Sequence, residues 1–134
     1  IWDYHVVLLS KIESHYQIFD FDTRLPFASP LKQYIHATFI EPEQLPENFH
    51  PYIRKIPLNS YLSNFYSDRT HMLGQIDSTD FPDWPIINQS QVHTITLANY
   101  LSLGLSLNDD SEIIKPVSLS TFIKDLSDEG SNLV

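Results

Sequence analysis

Two stretches rich in β-branched and aromatic residues, 1–9 and 15–23, flank a short polar segment from Ser10 to Ser14. The pattern predicts an antiparallel β-hairpin. With the turn centred between Ile12 and Glu13, His5 stands directly across from Asp20, the two Cβ atoms within about 5.5 Å on one face. An imidazole beside a carboxylate is the base-and-orienter half of a nucleophilic triad, in which Asp20 would accept from one ring nitrogen and stabilise the imidazolium. It is also the arrangement of a histidine tied down for structural reasons, the commoner case for such a pair. The same register sets Tyr4 opposite Phe21 and Val6 opposite Phe19, so the other face is apolar and expected to be buried. A one-residue slip would drive the carboxylates into that core, which leaves this register or one two residues away, in which His5 meets Asp22.

A triad also needs a nucleophile. The chain has no cysteine, and none of its serines lies in a nucleophile-elbow pattern. A second constellation overlaps the first: the strand Ile18-Phe19 runs into Asp20-Phe21-Asp22, which looks like the first motif of the haloacid-dehalogenase phosphatases. That reading would make Asp20 the phosphoryl acceptor and Asp22 an acid/base. Arg24 stands where that family usually has threonine, and only Asp109-Asp110 offers a downstream acidic motif. The remaining histidines, His15, His36, His50, His71 and His93, show no metal-ligand spacing, so no metal site is expected.

The elements that must position these groups follow in order. Ser29-Pro30 is predicted to cap a helix over residues 31–40 whose apolar face carries Leu31, Tyr34, Ile35 and Phe39. Residues 41–51 read as a proline-rich loop, and Tyr52 to Leu58 as a short strand near an edge. Asn59 is expected to cap a short helix with Tyr61, Leu62 and Phe65, followed by a polar turn through Asp68 and Arg69. Residues 73–92 form a long loop that Trp84 and Ile86-Ile87 should pin. Two later segments, 95–101 and 117–123, each give an apolar residue, a hydroxyl N-cap and an aromatic-aliphatic pair predicted to be buried. Residues 106–113 read as an acidic loop, and 127–134 as a fraying tail.

With 134 residues and 42% hydrophobic content, the chain has the composition of one globular domain. A formal charge of −9 repels phosphate backbones, so nucleic acid is not an expected partner. No apolar stretch reaches the roughly eighteen residues of a membrane span, so no membrane is expected either. The first residues lack the features of a secretory signal. Because the chain opens on a well-patterned strand, it is expected to be the carboxy-terminal part of a longer protein.

Three motifs in order, Trp2-Asp3-Tyr4-His5-Val6, Asp20-Phe21-Asp22-Thr23-x-Leu25-Pro26-Phe27 and Ser60-Tyr61-Leu62-x-Asn64-Phe65-x-Ser67-Asp68-Arg69-x-His71-Met72, strongly resemble the protein amino-terminal glutamine amidohydrolases. The resemblance implies an α+β, papain- or transglutaminase-like cysteine-hydrolase fold, an antiparallel sheet with flanking short helices, of which 1–134 would be the carboxy-terminal part of a single domain. It implies a Cys-His-Asp triad in which His5 and Asp20 match the histidine and aspartate. The family's cysteine lies upstream of the tryptophan motif, so this chain alone is expected to be inactive. The implied reaction converts an amino-terminal glutamine to glutamate with release of ammonia, without cofactor. The implied substrates are proteins or peptides with a free amino terminus. Asp22 and Asp68 are candidates for holding the substrate's α-ammonium, Asp22 also being a candidate for tying the strand end to Thr23 and Arg24. A monomer, once complete, in a cytoplasmic or nuclear setting is expected, since a thiol nucleophile suits a reducing compartment. A non-catalytic binding module descended from the amidohydrolase is the alternative.

Overall fold

The computed structural model describes residues 3–69, 72, 74–75, 77–80, 85–88, 94–108 and 113–129. Expectations for Trp2, His71, Trp84, His93, the acidic pair 109–110 and the tail beyond 129 fall outside them. In chain order the elements are β1 (Leu8–Ile12), β2 (His15–Phe19), β3 (Ala28–Pro30), α1 (Leu31–Thr38), β4 (Tyr52–Arg54), α2 (Leu58–Asn64), β5 (Phe65–Tyr66), β6 (Ile95–Thr96), α3 (Leu97–Leu101), β7 (Leu107–Asn108), β8 (Ile113–Ile114), β9 (Pro116–Ser118) and α4 (Leu119–Glu129). The fold is thus mixed α and β, built of small sheets and short helices. Most pairings are antiparallel as expected, but β5 and β6 run parallel. β4 pairs with β9. The chain divides into two compact units, one of Ile1–Ile53 with Val117–Val134 and one of Arg54–Pro116.

The first unit is built on the sheet β1-β2-β3. The ladder pairs Leu8 with Phe19, Leu9 with Ile18 and Ile12 with His15. This is the register two residues from the one placed first, because the two-residue turn is Glu13-Ser14 and not Ile12-Glu13. Glu13 takes a left-handed conformation, φ 56°. The inner face carries Leu9, Ile18 and Tyr16, and Leu9 and Tyr16 pack against Leu119, Phe122 and Leu126 of α4. Those three recur at i, i+3 and i+7, the stripe of an amphipathic helix. The ladder starts only at Leu8, so Tyr4 and Val6 gain no cross-strand partner there. Tyr4 and Val6 are exposed and Phe21 is 91% exposed, which corrects the expectation of a buried apolar face.

Ser29 does not cap α1. It lies in β3, fully buried, and its hydroxyl donates to the Pro26 carbonyl at 2.7 Å, while Pro30 occupies the cap position. In the same way Pro57, not Asn59, precedes the first turn of α2. The two hydroxyl caps are present as expected. Thr96 accepts from the Asn99 N–H and Asn99 returns the bond, a capping box, and Ser118 accepts from the Thr121 N–H at 3.2 Å. The aromatic member of each pair, Tyr100 or Phe122, is buried, whereas its neighbour, Leu101 or Ile123, is exposed. On so short an apolar stripe, adjacent residues diverge by about 100° and only one faces the core.

The second unit centres on Tyr100, Leu107 and Ile114, against which Ile56, Tyr61, Phe65 and Ile95 pack. β7 and β8 pair antiparallel at the two ends of the segment expected to be an acidic loop, whose residues 109–112 lie outside the described ones. Ser67 bridges to Ile87, and the Arg69 guanidinium donates to the Pro85 carbonyl at 3.0 Å. Part of the long loop is thereby held near the end of β5.

Candidate active site

Asp20 is the first residue beyond β2. Its N–H donates to the Phe27 carbonyl at 3.1 Å, which turns the chain towards β3. Alternation along the strand puts Ile18 and Asp20 on the inner side, and Asp20 is only 3% exposed. A buried carboxylate demands partners. Asp20 has three. Oδ1 accepts from the Asp22 N–H at 2.9 Å, Oδ2 accepts from the Tyr34 hydroxyl at 2.7 Å, and the same Oδ2 lies 2.9 Å from His5 Nε2.

That contact reconciles the register with the pair. Had the ladder continued, His5 would have faced Asp22. Instead the carboxylate of Asp20 takes the N–H of Asp22 and bends the chain, as aspartate does two residues ahead of itself in turns. The strand therefore ends before Asp22 can reach the cross-strand position, and the His5 ring meets Asp20. An ionised carboxylate only accepts, so Nε2 carries the hydrogen, and the bond selects the ring's tautomer.

Burial pushes the Asp20 carboxyl up. Hydrogen bonds from Tyr34, His5 and the Asp22 N–H outweigh it, and the carboxyl is held below its ordinary value. The Tyr34 phenol is pushed up, by burial first and then by its bond to Asp20. It keeps its proton and remains a donor. Tyr34 did not stand out in the sequence, where its spacing marks it as an apolar-face residue of α1. The one available signal was chemical: a buried tyrosine hydroxyl needs an acceptor.

Asp22 is exposed, and His5, Asp20 and Asp22 bring one ligand atom each within 4.8 Å of one another. These three could approach a cation, but Asp20 already spends its oxygens on three donors. Asp68 belongs to the second unit, where the Tyr66 hydroxyl approaches it at 3.4 Å. The phosphatase reading loses its setting here, because β2 lies between two antiparallel neighbours and the first Asp is engaged by His5 and Tyr34. A groove of the first unit is lined by Ile35 and His36 of α1 and Phe39 just beyond its end, with Leu119 and Ile123 of α4. Neither His5 nor Asp20 lines it.

The arrangement is a tautomer-fixed imidazole on an oriented, anionic carboxylate. It can take a proton from an acid and return it, and it would do so for a nucleophile brought to the ring. A family model described as N-terminal glutamine amidase matches residues 1–124. Relatives described as protein N-terminal glutamine amidohydrolase include one from Bos taurus, 47% identical over 74 residues, which are 54% of this chain and 35% of the relative. Another, from Drosophila erecta, is 35% identical over 101 residues, 71% of this chain and 48% of the relative. One from Drosophila grimshawi is 40% identical over 73 residues, 54% of this chain and 36% of the relative. The chain thus spans about a third to a half of the length of these curated relatives. With the motifs around His5 and Asp20 inside the matched region, the chain belongs to the N-terminal glutamine amidase family.

Proposed function

We propose that this chain supplies the His-Asp half of a protein N-terminal glutamine amidohydrolase, within a papain- or transglutaminase-like fold whose thiol comes from a cysteine upstream of residue 1. The observation that carries the reading is the 2.9 Å contact of His5 Nε2 with a buried, triply bonded Asp20, in a chain of that family.

With Nε2 donating to Asp20, proton exchange with the nucleophile falls to Nδ1. His5 takes the thiol proton, and the thiolate attacks the side-chain amide carbon of an amino-terminal glutamine. The imidazolium then gives its proton to the departing nitrogen, and ammonia leaves as the C–N bond breaks. A thioester remains. Water, deprotonated by His5, adds to the thioester carbon, the C–S bond breaks, and amino-terminal glutamate departs while the proton returns to sulfur. Asp20 stays ionised throughout and stabilises the cation. Asp22, exposed beside the pair, is the carboxylate assigned to the substrate's α-ammonium. The reading makes peptides and proteins with a free amino-terminal glutamine the substrates of a monomer in the cytosol or nucleus.

The test is ammonia release from glutamine-initiated peptides by the full protein carrying this chain. His5→Ala is expected to lower kcat by at least about a thousandfold and Asp20→Asn by about ten-thousandfold, the latter because the wrong tautomer is stabilised. Acetylating the peptide's amino group should abolish turnover. Equal rates on free and acetylated peptide would remove the terminal-specific reading.

A further inference from the structure

We propose that Tyr34 is a positioning residue for this reaction: its hydroxyl, donating to the same Asp20 oxygen that His5 contacts, holds the carboxylate in the orientation that fixes the imidazole. The inference rests on the function proposed above and adds a residue to it.

The Asp22 N–H secures Oδ1 at 2.9 Å, but a carboxylate held at one oxygen still rocks about its χ2 torsion, a broad and soft one. The second oxygen decides where the plane lies. Tyr34 reaches it at 2.7 Å, the shorter of its two contacts, and His5 at 2.9 Å. The phenol is fixed in turn. Tyr34 is 4% exposed, and α1 follows β3 without a break. β3 is itself paired to the strand that ends at Asp20. Tyr34 and Asp20 are therefore referenced to one sheet, so the acceptor cannot drift relative to its donor.

The choice of acceptor separates this role from plain burial of a polar tip. Any carbonyl would satisfy a buried hydroxyl; this one is spent on the oxygen shared with the imidazole. Two donors on one oxygen also spread its charge, which keeps Asp20 anionic against its burial and leaves the shared proton on His5. Of the bonds that pull the Asp20 carboxyl down, that from Tyr34 ranks first. Asp22 lies beside the pair, and Thr38, one turn along α1, offsets part of the upward push on the phenol.

Tyr34→Phe keeps the ring and removes only the donor. In the full protein it is expected to lower kcat roughly ten- to hundredfold, the worth of a hydrogen bond to a charged group, while KM stays within about twofold. The Asp20 carboxyl, followed by carbon NMR, should titrate at higher pH. In an Asp20→Asn background the same change should cost almost nothing more, since Tyr34 acts through Asp20. A ring-fluorinated tyrosine at position 34, a stronger donor of nearly the same shape, keeps the test open if Phe disturbs folding. It should move the Asp20 titration to lower pH. An unchanged kcat in Tyr34→Phe, or an equal added loss on top of Asp20→Asn, overturns the role. His5→Ala assayed alongside distinguishes the failures. If it is dead while Tyr34→Phe is unimpaired, only Tyr34 is misassigned; if it turns over normally, the proposed reaction itself is wrong and the positioning role falls with it.

Discussion

Asp20 is where burial and hydrogen bonding contend most directly. Desolvation raises its carboxyl and three donors lower it, with the donors prevailing. A folded value below the unfolded one, about 3.9, has a definite sign. The group adds stability that is fully present above the unfolded value and is lost as pH falls through the folded one. Urea midpoints are therefore expected to fall as pH drops from about 5 towards about 2, and Asp20→Asn should flatten that fall. An unaltered acid slope would mean that the three bonds do not discriminate the ionised form. At this scale the contact of His5 with Asp20 was legible from the motifs, whereas the strand pattern alone left Asp20 and Asp22 open as its partner. Tyr34 was not. Its spacing on α1 has two explanations, apolar packing and a buried hydroxyl, and only distances distinguish them.

At the scale of elements, period and cap chemistry were readable and strand register was not. A register shift of two preserves which side chains face inward, so His5 opposite Asp20 and His5 opposite Asp22 looked alike until the turn was located. The turn was obscured because Glu13 lacks the signature of its own conformation. Glycine, asparagine and aspartate are the usual residues at positive φ, and Glu13 adopts 56°. Glu13→Asn is accordingly expected to stabilise the hairpin by about 0.5–1 kcal/mol, read as a raised urea midpoint with an unchanged slope. Destabilisation by Asn would indicate that the glutamate side chain contributes something its backbone strain conceals. The capping residues divide along similar lines. Thr96 and Ser118 precede helices whose first turns they can reach, whereas Ser29 is paired into β3 before α1 begins, and its hydroxyl turns back to Pro26.

Across the whole molecule, composition indicated a globular chain and local patterns its helices and strands, but the division into two units depends on contacts remote in sequence. Arg54 carries one such set. Its guanidinium donates to the carbonyls of Tyr100 at 2.8 Å, Ile114 at 2.7 Å, Ser102 at 2.5 Å and Leu105 at 2.9 Å. Tyr100 and Ser102 stand at the carboxy-terminal end of α3, where carbonyls lack helical partners and a cation complements the dipole. Leu105 and Ile114 flank or belong to the β7-β8 hairpin. One planar fork of donors thus fastens a helix end and a hairpin that the chain itself connects only loosely. No local pattern announces this, since an arginine in a strand next to Lys55 reads as surface charge. Arg54→Met, which retains much of the apolar stem, is expected to cost about 2–4 kcal/mol, less than four separate bonds because two of them face solvent. If the two units are distinct in stability, hydrogen exchange should quicken first at the amides of α3 and the β7-β8 hairpin, with β1 and β2 keeping their protection. Equal loss of protection in both would show that the chain opens as one cooperative body and that the guanidinium supports the whole of it.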